Sequence, residues 1–474
     1  MSKNVVVTCS TYRNPEGNDF IRTYGIIALI NQMANQDFDG KIGVSIIDDS
    51  PTPHSFAQTV SQYKPDLLSY VHVNTRQQLR DIMLEEAPEY AKLVPSDDIL
   101  RQASILLLKE LRDSDSHIAK ADIKLAAGDF QLSEDEWDQI IGRKDSDPIG
   151  LAQLDMFMNN ALTEEVKNNE EALFWKERLL HLRGYAQLVP FEDDYPIQTN
   201  IYKQIFGERP TIGMKKNAGN ALGAAKFGQP DAIVYADDDD QHAPDYVTHS
   251  VNALGENDFT RMTHYMTYIY NKDASKAQAG IFSLDIRKSG NGYWMLTNEC
   301  AKSPMYLWLP DENKFDESRT GKKFSRPVMM AWPILSHEGA LHTYSYDMWE
   351  KSIDLIGGAT PVSFCEDIIG FRMLKDFYGR DFKDVHTPIT PGEEKFIRIA
   401  DGNNASIIEV SRHIDKKNMP EWAQEALGFL HAAQPSHDRD PYKTQLALAR
   451  NFVNNGSISA RDLNTQQDNR YNFS

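Results

Sequence analysis

Along the first sixty residues, short apolar runs alternate with one amphipathic stretch. "NVVVTCS" (4–10) is a β-branched run closing in polar residues, the pattern of a buried strand. "DFIRTYGIIALINQMAN" (19–35) carries apolar residues at helical spacing behind a polar loop containing Pro15 and Gly17. "KIGVSIIDDSPTP" (41–53) predicts a second strand, stopped by Asp48, Asp49 and a Pro-containing turn. Strand, helix and strand with short connections predict a βαβ unit in a parallel sheet.

The pattern changes over residues 61–195. "TRQQLRDIMLEEAPEYAKLV", "SDDILRQASILLLKELRDSDS" and "SEDEWDQIIGRK" read as amphipathic helices, the last opening on Ser133 and Glu136 at capping-box spacing. "LTEEVKNNEEALFWKERLLHLRGYAQLV" (162–189) reads as a further helix or helix pair. The stretch is therefore expected to be a helical insertion. The α/β alternation then resumes, with "TIGMKKNAGNALGAAKFGQPDAIVYADDDD" predicting a Gly- and Asn-rich loop, a small-residue helix and a strand ending at four aspartates. A second acidic pair, Glu366 and Asp367, opens another expected helix. The predicted organisation is an α/β core split between residues 1–60 and 196–400, the insertion at 61–195, and a helical extension with a loosely held polar tail over 401–474.

Composition narrows this picture only in places. At 474 residues the chain is long for one ordinary core, which fits a core with a large insertion. With 41% hydrophobic and 25% charged residues it belongs to the soluble globular class, and no apolar run approaches the length of a membrane span. The net charge of -19 disfavours general affinity for nucleic acid or anionic membrane, while leaving a local basic groove open. Three widely spaced cysteines, Cys9, Cys300 and Cys365, suggest neither a disulfide framework nor a zinc cluster, and the expected location is the reducing cytoplasm.

The candidate chemistry sits at "IVYADDDDQHAPDY" (233–246). A solvated surface turn is the bland reading of such a run. The apolar residues before it argue otherwise, because parallel strands deliver their C-terminal residues to the crevice where α/β sheets bind ligands. A calcium loop starting at Asp237 would need Gly where His242 stands and a bidentate Glu where Thr248 stands. A phosphatase-type aspartate motif would need Thr where Gln241 stands. A magnesium or manganese site for a diphosphate remains, since these hard cations take one or two carboxylates and fill their other positions with phosphate and water.

Five segments in order resemble the family 2 glycosyltransferases, nucleotide-sugar enzymes of the GT-A fold. They are "VVVTCSTYRNPEG", "VSIIDDSPTP", "GMKKNAGNALGAA", "VYADDDDQHAPDY" and "DLIGGATPVSFCEDIIGFR", and the resemblance covers about residues 1–55 and 200–390. It implies a Rossmann-like mixed sheet flanked by helices, and an inverting transfer from a nucleotide sugar, most simply a UDP-sugar, to an acceptor hydroxyl with Mn²⁺ or Mg²⁺. It implies donor contacts from Thr11, Asp48 or Asp49, Lys216, Asn217, Asp237 and Asp238, and metal ligands at Asp239, Asp240 and His386. It implies a catalytic base at Asp367, or at Glu366 if the register is set by Arg372. The helical insertion is then expected to shape acceptor access or contacts between copies of the chain. The chain departs from the family in having Cys9-Ser10 where Pro is usual and Pro51 where Gly is usual. It also lacks the membrane helices and the Gln-x-x-Arg-Trp motif of the processive members. Two alternatives stay open: a sugar-phosphate nucleotidyltransferase, whose Gly-Gly-x-Gly-Thr-Arg loop is absent after the first strand, and a non-catalytic nucleotide-sugar-binding protein.

Overall fold

A computed structural model describes residues 3–13, 20–114, 155–186, 204–283, 286–288, 294–296, 306–309, 314–316, 342–361, 370–387, 393–400, 409–433 and 441–463, apart from a few positions within these ranges. They divide into two compact units: Met1–Asn74 with Gly219–Glu350 and Tyr378–Ser474, and Thr75–Ala218 with Lys351–Phe377.

The first unit is α/β. Its β-branched runs form β1 (Lys3–Thr11), β2 (Gly40–Asp48), β3 (Leu68–His72) and β4 (Ala232–Tyr235). They lie side by side, in the order β3-β2-β1-β4, in a seven-stranded sheet that continues through His342–Ser345, Phe259–Met262 and Asp384–Thr387. The sheet is mixed. His342–Ser345 runs antiparallel to both neighbours, and every other pairing is parallel. The expected βαβ unit is present, with α1 (Phe20–Ala34) joining β1 to β2. Val5, Val7, Val44, Ile46 and Val234 share one core with Ile26, Ile27, Leu29 and Ile30 of α1.

A second sheet of five strands runs Arg412–Ile414, Gln278–Ser283, His264–Ile269, Phe396–Ala400, Gln241–His242. The four aspartates occupy the crossing from β4 of the first sheet to Gln241–His242 at the edge of the second.

Two expectations change here. The stretch 61–195, expected as a helical insertion, also contains β3, which pairs with β2 at the sheet edge. A five-residue strand with no period-two alternation gives almost no signal between helices. The polar tail from about residue 457 was expected to be loosely held. Its beginning is instead packed: Ile458 and Leu463 are buried, and the Asn31 side chain bonds the backbone of Ile458 in both directions.

The second unit, among the described residues, is built from α3 (Arg76–Glu86), α4 (Asp97–Asp113) and the helices Glu164–Asn168 and Glu170–Ala186. Thr75 and Gln78 form a capping box at the start of α3, and Ser96 caps α4. Ile105, Leu108, Met158, Leu162 and Val166 make a small core, and Arg80 grips Glu171 through two bonds of 2.5 and 2.8 Å. The expected helix opening at Ser133 lies outside the described residues.

The helix α2 (Ser55–Tyr63) supplies a pH prediction. His54 caps it, accepting at Nδ1 from the Ala57 amide at 3.3 Å, so the ring is neutral and its Nε2 donates to the Thr23 carbonyl at 2.8 Å. The ring is fully buried, and burial, helped by Arg13, pushes its pKa down to about 3. The unfolded chain binds this proton near pH 6.5 and the folded chain does not. Stability is therefore intact above pH 6.5 and lost as pH falls below it. At pH 5 the loss from this group is about 2 kcal/mol. Urea unfolding at pH 7 and pH 5 should reveal it, and His54→Asn, which keeps a capping acceptor, should remove that part of the pH dependence. An unchanged dependence in the variant would contradict the assignment.

Candidate functional site

β1 and β4 are parallel neighbours in the sheet, and open α/β sheets bind ligands at the C-terminal ends of such strands. The acidic turn sits there. The Ala236 amide still bonds the Thr8 carbonyl at 3.1 Å, which holds the outgoing chain against β1. Asp237 to Asp240 follow immediately.

The four carboxylates have different surroundings. Asp238 is buried, takes a short hydrogen bond from the Thr11 hydroxyl, and lies 3.5 Å from Arg22 of α1. Burial pushes its carboxyl up, to about 7. Arg22 and the Thr11 hydroxyl pull the other way, and Asp239 and Asp237 add to the rise. Asp239 is more open and pairs with Arg22 at 3.2 Å. Asp240 is buried and accepts from the Ile399 amide of the second sheet at 3.1 Å. Asp237, Asp239 and Asp240 each offer one carboxylate oxygen, and the three lie within 4.8 Å of one another.

This oxygen set fits a small hard cation. An octahedral site of about 2.1 Å radius spans about 4.2 Å between opposite ligands, so small side-chain rotations close the cluster. Asp238 is turned away to Thr11 and Arg22. The close approach of the turn to α1 depends on Gly25, where a Cβ would stand 1.6 Å from the Asp238 carbonyl oxygen.

The two aspartates at the end of β2 have different surroundings. Asp48 is fully buried and pairs with Arg13 at 2.9 Å. It also takes the Tyr70 hydroxyl at 2.6 Å and the Ser50 amide at 2.9 Å. Burial alone would raise its pKa, but Arg13 with the Ser50 and Tyr70 hydrogen bonds holds it below the usual carboxylate range. Arg13 also bonds Ser50 Oγ and the Thr52 carbonyl, so Asp48 and Arg13 together fasten the loop. Asp48 is committed to structure, and Asp49 beside it is also buried. The Asp49 amide bonds the Thr11 carbonyl at 3.3 Å.

Three further candidates, Lys216, Asn217 and His386, lie on other elements. The "GMKKNAGN" stretch, expected as a loop, is helical, within Ile212–Phe227. Lys216 and Asn217 belong to the second unit and are buried. The Asn217 carboxamide donates to the Gly357 and Ala359 carbonyls, both at 2.9 Å, and accepts from the Ala359 amide at 2.7 Å. Its polar atoms thus hold a turn in which Gly357 and Gly358 both have positive φ, 84° and 74°. His386 lies on the strand Asp384–Thr387, three strands from β4, about 14 Å at ordinary strand spacing. Its side chain, with Glu366 and Asp367, lies outside the described residues.

The periodic pattern did not bring forward Arg22, Arg13 or Gly25. Arg22 had one visible signal, a lone charge near the start of an otherwise apolar helix. No helix among the described residues is long and apolar enough to cross a membrane. No protein-family model matches the chain, and no curated protein matches it in sequence.

Proposed function

We propose that the chain is an inverting, metal-dependent glycosyltransferase that moves a sugar from a nucleoside-diphosphate sugar to an acceptor hydroxyl. The observation that carries this reading is the three-carboxylate cluster of Asp237, Asp239 and Asp240 at the C-terminal ends of β1 and β4. Mn²⁺ or Mg²⁺ held there would neutralise charge on the departing diphosphate. Asp49, beside Thr11 at the end of β1, is assigned to the nucleoside. The proton of the acceptor hydroxyl is assigned to Asp367, by the resemblance of its segment to the family's Glu-Asp pair.

A thermal-shift panel of UDP, GDP and their common sugar conjugates, with and without Mn²⁺, tests the reading. Ligand at a hundred times its Kd adds about 2.7 kcal/mol of stability. That corresponds to a rise of roughly 2–6 °C in Tm, and it is expected only when nucleotide and cation are present together. A panel in which no nucleotide raises Tm with either Mn²⁺ or Mg²⁺ would remove the basis for the proposal.

A further inference from the structure

We infer that Arg22 couples the binding of a divalent cation to that of a nucleoside diphosphate at the acidic turn. The inference rests on the metal-dependent reading above and adds to it a residue that makes the two ligands interdependent. Arg22 stands on the first turn of α1. Its guanidinium straddles the two central carboxylates, with Nη1 3.5 Å from Asp238 Oδ1 and Nη2 3.2 Å from Asp239 Oδ2. It also reaches the Tyr12 carbonyl at 3.4 Å.

The two carboxylates it touches do different things. Asp238 is buried between Thr11 and Arg22 and stands outside the three-oxygen cluster. Asp239 belongs both to that cluster and to the Arg22 ion pair. A cation held by Asp239 would therefore stand one carboxylate away from the guanidinium. Two positive groups that close repel, and the buried Asp238 and Asp240 beside them keep water from screening the repulsion fully. For the cation alone, Arg22 is a penalty.

A diphosphate reverses the sign. Its charge screens the two cations from each other, and its oxygens match the planar fork of a guanidinium. The Arg22 side chain is 33% exposed, so a phosphate can approach it from solvent. For the pair of ligands, Arg22 is a gain. A residue that opposes one ligand alone and favours the two together is a source of positive coupling, and the coupling is reciprocal.

The test uses Mn²⁺ and inorganic pyrophosphate, which need no knowledge of the base or sugar. Free Mn²⁺ is followed by electron paramagnetic resonance, with the solution Mn²⁺–pyrophosphate complex included in the fit. In the wild-type chain, pyrophosphate is expected to tighten Mn²⁺ binding by a factor of roughly 5–150. In Arg22→Gln, Mn²⁺ alone should bind about fivefold tighter or more, and the coupling should fall by at least the same factor, leaving only the part that direct phosphate coordination of the cation supplies. Arg22→Lys keeps the charge without the planar fork and should retain part of the coupling. Arg22→Met is a second neutral variant that suits a helix, should Gln not fold. A purely structural Arg22 would instead lower every affinity together with the melting temperature. Unchanged or weaker Mn²⁺ binding in both neutral variants, with the coupling preserved, would overturn the inference and leave the metal reading standing. If the wild-type chain binds no Mn²⁺ with or without pyrophosphate, the metal reading falls and takes this inference with it.

Discussion

Asp239→Asn is expected to abolish cation-dependent binding of a nucleoside-diphosphate sugar while the protein stays folded. The substitution keeps the shape of the side chain and removes the charge that serves both the three-oxygen cluster and Arg22. The fold tolerates this because Asp239 is partly open to solvent, where an ion pair contributes only about 0–1 kcal/mol. The chemistry does not, because withdrawing one preorganised charge from a departing oxyanion typically lowers the rate by about 10²–10³-fold. Transfer assays with and without EDTA check both halves. Full activity in EDTA, or a fully active Asp239→Asn, would show that the cluster holds no catalytic cation. Asp238→Asn makes an informative contrast: Asp238 is buried against Thr11, so its substitution should lower the melting temperature more than Asp239→Asn does.

The second large effect concerns the base. Asp367→Asn keeps the volume and removes the proton acceptor, so transfer should fall by about 10²–10⁴-fold, the usual contribution of a general base. Donor binding should change little, since the base acts on the acceptor hydroxyl and not on the diphosphate. Glu366→Gln is the paired measurement. If Glu366→Gln stops transfer and Asp367→Asn does not, the register of the segment is shifted by one and Glu366 is the base. If both variants retain full activity, the inverting mechanism with a carboxylate base in this segment is wrong.

What could be read in advance follows from which interactions are local. The βαβ unit of β1, α1 and β2 was legible because each element is long enough to carry its own period. The strand before the aspartates was legible as a β-branched run. The strand β3 was not, being five residues of mixed polarity. The helix Ile212–Phe227 was partly misread because its Gly and Asn residues are poor helix formers. Packing overrides that preference: Gly219 and Gly223 lie against Thr8 and Val6 of β1, where a Cβ would come within 2.5 and 2.6 Å of their side chains. The same helix carries Asn217, whose motif suggested a ligand contact and whose carboxamide is committed to the Gly357–Ala359 turn.

Within the site, the sequence placed the carboxylates but not their partners. The Arg22–Asp239 and Thr11–Asp238 contacts join residues 217 and 227 positions apart, and no local pattern encodes such distances. The partners of Asp48 were likewise invisible: Arg13 comes from the chain just after β1 and Tyr70 from β3.

The turn after β4 is proposed as a divalent-cation site for a nucleoside diphosphate. Its most direct test is an anomalous difference map from crystals soaked in Mn²⁺ with a nucleoside diphosphate. One strong peak is expected at about 2.1 Å from carboxylate oxygens drawn from Asp237, Asp239 and Asp240, with diphosphate oxygens completing the shell. A map with the nucleotide bound and no peak at this turn, or with Mn²⁺ held by other residues, would contradict it.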